Sequence, residues 1–339
     1  MPDSLGTGSG ALWLLLAAAA VAQEPPHVLP GVETSRVVLE ARVTDARGRP
    51  LPGLGPANFR LEVDGRSVPL ESTVWVAESP TVARTLATTP IATTVASPGR
   101  LVVLLFQKSF EGSRLRGLLR AIRQAKELVA PFSPRDRAAV LTYDSHLRLH
   151  LDFTADFDAV RRILDESVLL RWPSPVEPGE PPSLAAHLDR EEARAVASPE
   201  QALLALGRAL LPIPGAKTVL LFGYGLGELR GGTVVLDRDY DAARAALDRA
   251  RAAVFCLDVV DADWHSLEVG LQQVAGDTGG QYFKVHENAG AALERVAAAL
   301  SGHYVLTFEP PDGRRGEHRV RLALAGRRGS VLTRTRYVD

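Results

Sequence analysis

Three stretches of this chain are apolar at every position instead of every second one: LVVLLF (101–106), VLLF (219–222) and AVFCL (253–257). A strand with one wet face alternates. A continuous run of this length needs cover on both faces, which is the condition of a parallel sheet lying between two layers of helices. The intervening segments supply those helices. SRLRGLLRAIRQAKELVAPF places Leu115, Leu118, Leu119, Ile122, Leu128 and Val129 at helical spacing and stops at Pro131. Further helical patterns follow in ADFDAVRRILDESV, PEQALLALGRALLP, DAARAALDRARA, HSLEVGLQQVAGDTGG and NAGAALERVAAALSG. DRAAVLTYD and QYFKV read as strands, and LRLHLDFT alternates like an antiparallel edge strand. The expected architecture over 100–302 is α/β: a doubly wound, mostly parallel, Rossmann-like sheet flanked by helices, with right-handed crossovers.

The flanks are all β. RVVLEARVTD alternates, and NFRLEVDGRSVPLESTVWV reads as a hairpin with Asp64-Gly65 at the bend. After Gly302 come HYVLTFEPP, EHRVRLALAG and GSVLTRTRYV. Neither set is thick enough to bury a core alone. Segments 34–80 and 303–339 are therefore expected to combine in one small antiparallel β-module. The Pro, Thr, Ala and Ser of 81–99 read as a linker.

At the N-terminus, ALWLLLAAAAVAQEPP is an apolar run ending in Ala20-Val21-Ala22, an A-x-A cleavage pattern, so 1–22 reads as a signal peptide. The segment before it carries Asp3 and no Lys or Arg. The run is too short for a membrane span, and the mature protein is expected to be secreted or periplasmic. The single cysteine, Cys256, excludes an internal disulfide and a cysteine-based zinc site. A net charge of −1 gives no field that favours nucleic acid or a membrane surface.

Catalytic signatures are missing. FGYGLGEL follows a buried strand with Gly223, Gly225 and Gly227, yet Glu228 and Arg230 stand where a dinucleotide fingerprint needs its third glycine. There is no G-x-S-x-G, H-E-x-x-H or G-x-x-x-x-G-K-[ST], and His146, His150 and His187 have no metal-like neighbours. The expectation is a protein that is not an enzyme; a hydrolase using clustered acids is the less favoured alternative.

VTDARGRPLPGLGPANFRLEVDG, LVVLLF, SPRDRAAVLTYDSHLRLHLDFTADFDAV, VAGDTGGQYFKV and HYVLTFEPPDGRRGEHRVRLAL together resemble the von Willebrand factor A (VWFA)-related domain proteins common in Acidobacteria. The resemblance implies an A-type fold, export and a binding role. Adhesive A-domains hold Mg²⁺ with an Asp-x-Ser-x-Ser loop after the first strand, a Thr from a later loop and an Asp after the fourth strand. At the matching positions this chain has Gln107, Ser109, Glu111 and Tyr224, with Ser198 or Glu200 in the Thr region. Hard-cation binding needs charged oxygen ligands, and both expected carboxylates are gone. The resemblance therefore implies a degenerate metal site and no cofactor. The alternative is Mg²⁺ held by Glu111 or by Asp258, Asp261 and Asp263. A protein partner is expected on the loops at 107–113, 144–146, 223–232 and 258–264, through Phe110, Tyr224, Arg230 and Trp264.

Overall fold

The structure is a computed structural model that describes residues 36–78, 93–96, 99–166, 168, 173–285, 289–311 and 315–338. The expected signal peptide lies outside these residues, as does most of the expected linker.

The chain begins with β1 (Val37–Thr44), β2 (Phe59–Val63), β3 (Arg66–Val68), β4 (Ser72–Ala77) and β5 (Thr93–Ala96). The middle runs β6 (Leu101–Gln107), α1 (Gly112–Val129), β7 (Arg137–Tyr143), β8 (Leu147–Thr154), α2 (Phe157–Glu166), α3 (Arg190–Ala195), α4 (Pro199–Leu210), β9 (Lys217–Gly223), β10 (Glu228–Arg230), β11 (Thr233–Val235), α5 (Tyr240–Arg249), β12 (Ala252–Asp258), α6 (Glu268–Asp277), β13 (Tyr282–Lys284) and α7 (Ala289–Ala299). It closes with β14 (Gly302–Phe308), β15 (Glu317–Leu324), β16 (Ser330–Thr333) and β17 (Arg336–Val338).

The middle elements form a six-stranded sheet in the order β13-β12-β9-β6-β7-β8. Every pairing is parallel except β7 with β8, the antiparallel edge anticipated from alternation. Side chains leave the buried strands on both faces, as the continuous apolar runs require. Val103 and Leu105 join a core with α4, α5 and α6, whereas Val102, Leu104 and Phe106 join one with α1, α2 and α7. From β6 the chain winds outward to β7 and β8, then returns to β9 on the other side. The order therefore reverses between β6 and β9, and the C-terminal ends of those strands are the topological switch point where doubly wound sheets bind ligands. Helix α1 lies hard against the loop beyond β12: a Cβ on Gly117 would sit 1.6 Å from the Val259 carbonyl oxygen.

The two ends of the chain make the β-module. One sheet has the order β16-β1-β14-β4-β5 and the other β17-β15-β2-β3. C-terminal β14 sits between N-terminal β1 and β4, antiparallel to both. The core between the sheets centres on Trp75, Tyr304, Phe308, Leu61 and Tyr337. The Tyr304 hydroxyl donates to Leu51 O (2.8 Å) and accepts from Leu54 N (2.9 Å). Asp64 and Gly65 both have positive φ, 50° and 77°, as the tight bend between β2 and β3 demands. One strand departs from expectation. Within the segment read as linker, β5 pairs parallel with β4, because its Thr-Thr-Val-Ala sequence suits a strand once an open sheet edge is beside it.

Module and parallel sheet meet in a charged seam. Arg42 of β1 is buried, donates to Thr218 Oγ1 at 3.2 Å and lies 5.4 Å from the Phe255 ring centre. Burial holds its pKa below the usual guanidinium value. Nearby, Arg251 pairs with Glu40. Among the described residues no helix is long and apolar enough to cross a membrane.

Candidate functional site

Gln107 is the last residue of β6, beside the switch point, and its side chain is enclosed (3 % exposed). Its amide is engaged at both ends: Oε1 accepts the Tyr224 backbone N–H at 3.0 Å and Nε2 donates to Gly225 O at 3.1 Å. The side chain thus fastens the end of β6 to the loop after β9. That loop needs glycine at 225, where φ is 148° and a Cβ would lie 2.4 Å from Leu267 Cβ.

The other loop positions are turned toward protein partners. Ser109 Oγ accepts from Glu111 N at 3.3 Å, which orders the turn into α1. Glu111 Oε2 lies 3.1 Å from Arg114 Nε. The Arg114 guanidinium covers the Tyr224 ring at 4.3 Å, and the Tyr224 hydroxyl donates to Lys108 O at 3.3 Å. Lys108 Nζ is 3.8 Å from Asp144 Oδ2, and burial, the largest influence, lowers its pKa. Asp144 also pairs with Arg148. Behind this group, the His150 Nε2–Thr142 Oγ1 contact is 2.9 Å, and His150 is pushed down to about 4, chiefly by burial with help from Lys108 and Arg148. In the Thr region, Ser198 caps α4 by accepting from Gln201 N. Glu200 is buried, accepts from Gly227 N at 2.7 Å, and has its pKa raised by desolvation.

These residues do not fit Mg²⁺. The one carboxylate of the loop is held by Arg114, the amide oxygen of Gln107 is taken by a backbone N–H, and Lys108 and Arg114 already bring positive charge. Octahedral binding needs anionic oxygens that are free to turn inward.

The acids after β12 divide. Asp261 faces α1, 3.4 Å from Arg120 Nη2 and 3.8 Å from Arg116 Nε. Asp263 accepts the Lys284 ammonium on its backbone oxygen. Asp258 turns inward and is almost wholly enclosed, with Oδ1 accepting from Val260 N (3.0 Å). Its Oδ2 takes the Tyr282 hydroxyl (2.7 Å) and lies 2.8 Å from His265 Nε2. Asp258, His265 and Glu268 each offer a ligand atom, all within 4.8 Å of one another. Lys284 Nζ sits 2.8 Å from Glu268 Oε2, so an ammonium already answers that carboxylate. Sequence reading singled out Asp258 but not His265 or Glu268. The available signal was the spacing Asp258-x₆-His265-x₂-Glu268 at a buried strand's end.

The four expected contact residues share the rim of the sheet but differ in exposure. Phe110 and Trp264 are 67 % and 68 % exposed. Arg230 is exposed on the β10–β11 hairpin and gives two N–H groups to Glu228 Oε2. Tyr224 is part-buried beneath Arg114. The hairpin itself was not anticipated, and it adds exposed Leu229 and Val235 to this rim.

No protein-family model and no curated protein matches the chain. Among solved structures it is similar to an aerotolerance-related membrane protein from Bacteroides fragilis, at 15 % identity and TM-score 0.41 over 60 % of this chain and 98 % of that one. It is also similar to proximal thread matrix protein 1 from the mussel byssus with a zinc-occupied MIDAS motif, at 11 % identity and TM-score 0.41 over 63 % and 48 %. A third is the ArnB paralog VWA2 from Sulfolobus acidocaldarius, at 8 % identity and TM-score 0.37 over 88 % and 75 %.

Proposed function

We propose that this chain is an exported, VWFA-type protein-binding module that engages its partner without a metal ion and without catalysis, through the loops at the C-terminal edge of its parallel sheet. The observation that carries the reading is the pairing of a closed loop with an open rim. The position where a metal-dependent A-domain needs carboxylate is occupied by Gln107, spent on the backbone of residues 224 and 225. On the same edge, Phe110 and Trp264 project two-thirds exposed, and exposed aromatic side chains are the usual anchors of protein interfaces. Export rests on the 1–22 pattern.

The test is capture of envelope proteins on the immobilised chain, in Mg²⁺ and in EDTA, alongside a Phe110→Ser/Trp264→Ser variant. A partner retained in EDTA and lost with the variant supports the reading. A partner released by EDTA, or indifferent to both substitutions, overturns it.

A second reading, cation-dependent binding, is favoured by the convergence of Asp258, His265 and Glu268. It requires micromolar binding of Mn²⁺ or Zn²⁺ by calorimetry that disappears in His265→Ala.

A further inference from the structure

The seam between the β-module and the parallel sheet contains a cavity of about 520 Å³, at the opposite end of the sheet from the loops at 107–113 and 223–232. Its sheet side is made by strand beginnings: Leu101 opens β6, Arg137 opens β7, and Arg251 immediately precedes β12. Its module side is the face of β4 and β14 turned away from the sandwich core, carrying Val76, Glu78, His303 and Val305. In register, His303 stands beside Val76, and Glu78 and Val305 lie two residues along on the same face. Small-molecule sites typically have volumes of about 300–1,000 Å³ and favour the junctions of domains.

Two polar groups in this wall are left incomplete. The half-buried Arg137 side chain makes no hydrogen bond or ion pair among the described residues. Glu78 Oε1 is 3.2 Å from His303 Nδ1, but Oε2 is enclosed with no hydrogen-bond partner. The Glu78 oxygen is drawn away from water without compensation, and the half-buried Arg137 guanidinium has no anion beside it, so both gain from a ligand that supplies what is missing. Arg135 and Arg251 also line the cavity, Arg251 being paired with Glu40, and Glu78 is the one carboxylate among the described lining residues. Pro181, Pro182 and Val305 supply apolar wall.

We propose that this cavity binds a small organic anion that also carries an N–H or O–H donor and an apolar body. The anionic group pairs with Arg137, the donor bonds the Glu78 carboxylate once that side chain turns into the cavity it lines, and the body rests on the prolines and Val305. The site is separate from the protein-binding rim and stands or falls independently of it.

A suitable probe is 1-anilinonaphthalene-8-sulfonate, which has a sulfonate, an N–H and apolar rings. Fluorescence titration of the full chain is expected to show one saturable site, displaced by citrate but not by sodium chloride at equal ionic strength. Arg137→Gln is expected to weaken it at least about tenfold, the effect of losing one charge-assisted hydrogen bond, and Arg137→Lys to weaken it less. Phe110→Ser/Trp264→Ser is expected to leave it unchanged, which separates the cavity from dye adsorbed on exposed aromatics. Non-saturating binding, equal displacement by chloride, or loss of the dye with the rim variant and not with Arg137→Gln overturns the proposal. The displacement experiment uses the unaltered protein, so it decides the matter even where a variant folds poorly.

Discussion

Gln107 Oε1 accepts the backbone N–H of Tyr224 at 3.0 Å, while the same amide donates to Gly225 O. A carboxylate could accept the first bond but could not donate the second, so glutamine here closes the switch point of the sheet from within. Gln107→Ala leaves an enclosed N–H and a carbonyl without partners, at about 1–3 kcal/mol for each. Urea unfolding is expected to show a loss of about 2–4 kcal/mol. Gln107→Asp places a carboxylate at the end of β6 yet is expected to give no Mg²⁺-dependent rise in melting temperature, because Lys108 and Arg114 remain. A rise of several degrees at millimolar Mg²⁺ would show that the loop still has the makings of a metal site.

The Tyr282 hydroxyl and His265 Nε2 both reach Asp258 Oδ2, at 2.7 and 2.8 Å. Removing the hydroxyl withdraws one of the three groups that surround a nearly enclosed carboxylate. Tyr282→Phe is expected to cost about 1.5–3 kcal/mol, the range for a hydrogen bond to a charged group. His265→Ala in the same background should not cost what it does alone, because bonds to one oxygen are coupled. Strict additivity of the two in chemical denaturation would contradict a shared network.

In the β-module, Gly302 lies against the Trp75 ring so closely that a Cβ would sit 2.3 Å from Cζ2. Trp75 is fully enclosed and meets Tyr304 edge to face at 4.8 Å, so it has nowhere to move. Gly302→Ala is expected to destabilise by about 1–3 kcal/mol through overpacking. In a double-mutant cycle, Trp75→Phe should recover part of that loss. An unshifted denaturation midpoint for Gly302→Ala would show that the Trp75 ring yields to a methyl group without cost.

The parallel sheet was legible because continuous apolar runs leave few alternatives, and the union of the two ends was legible because neither could bury a core alone. The Asp64-Gly65 bend was legible from the backbone angles that turn demands. What escaped was set by tertiary neighbours. Strand β5 exists because β4 offers it an edge, and the β10–β11 hairpin is three-residue strands with exposed side chains and no apolar period to betray them. At the site, the absence of carboxylates at 107 and 224 could be read directly. The purpose of Gln107 could not, since its partners lie 117 and 118 residues away. Asp258 shows the same limit: its hydrogen-bonding neighbours come from a loop and from the next strand, 7 and 24 residues on.

Two buried groups give the stability opposite dependences on pH. His150 titrates at about 4 in the folded chain against an ordinary value of 6.5, because burial and then Lys108 and Arg148 disfavour its charged form, with Asp144 opposing. Its contribution is present above pH 6.5 and is lost as pH falls toward 4. Asp248 of α5 titrates at about 7 against an ordinary 3.8; burial dominates, Asp277 and Glu317 add to it, and Arg334 and Arg244 oppose it. Its contribution is present below 3.8 and is lost as pH rises through 7. The two therefore offset each other in the unaltered protein across the acid range. Each pKa unit corresponds to about 1.4 kcal/mol, so single variants should separate them in urea unfolding between about pH 4 and 8. His150→Gln is expected to gain on the parent as pH falls below 6.5, and Asp248→Asn to gain on it as pH rises toward 7 and then stay level. Stability curves that run parallel to the parent's throughout would show that neither group titrates as its surroundings dictate.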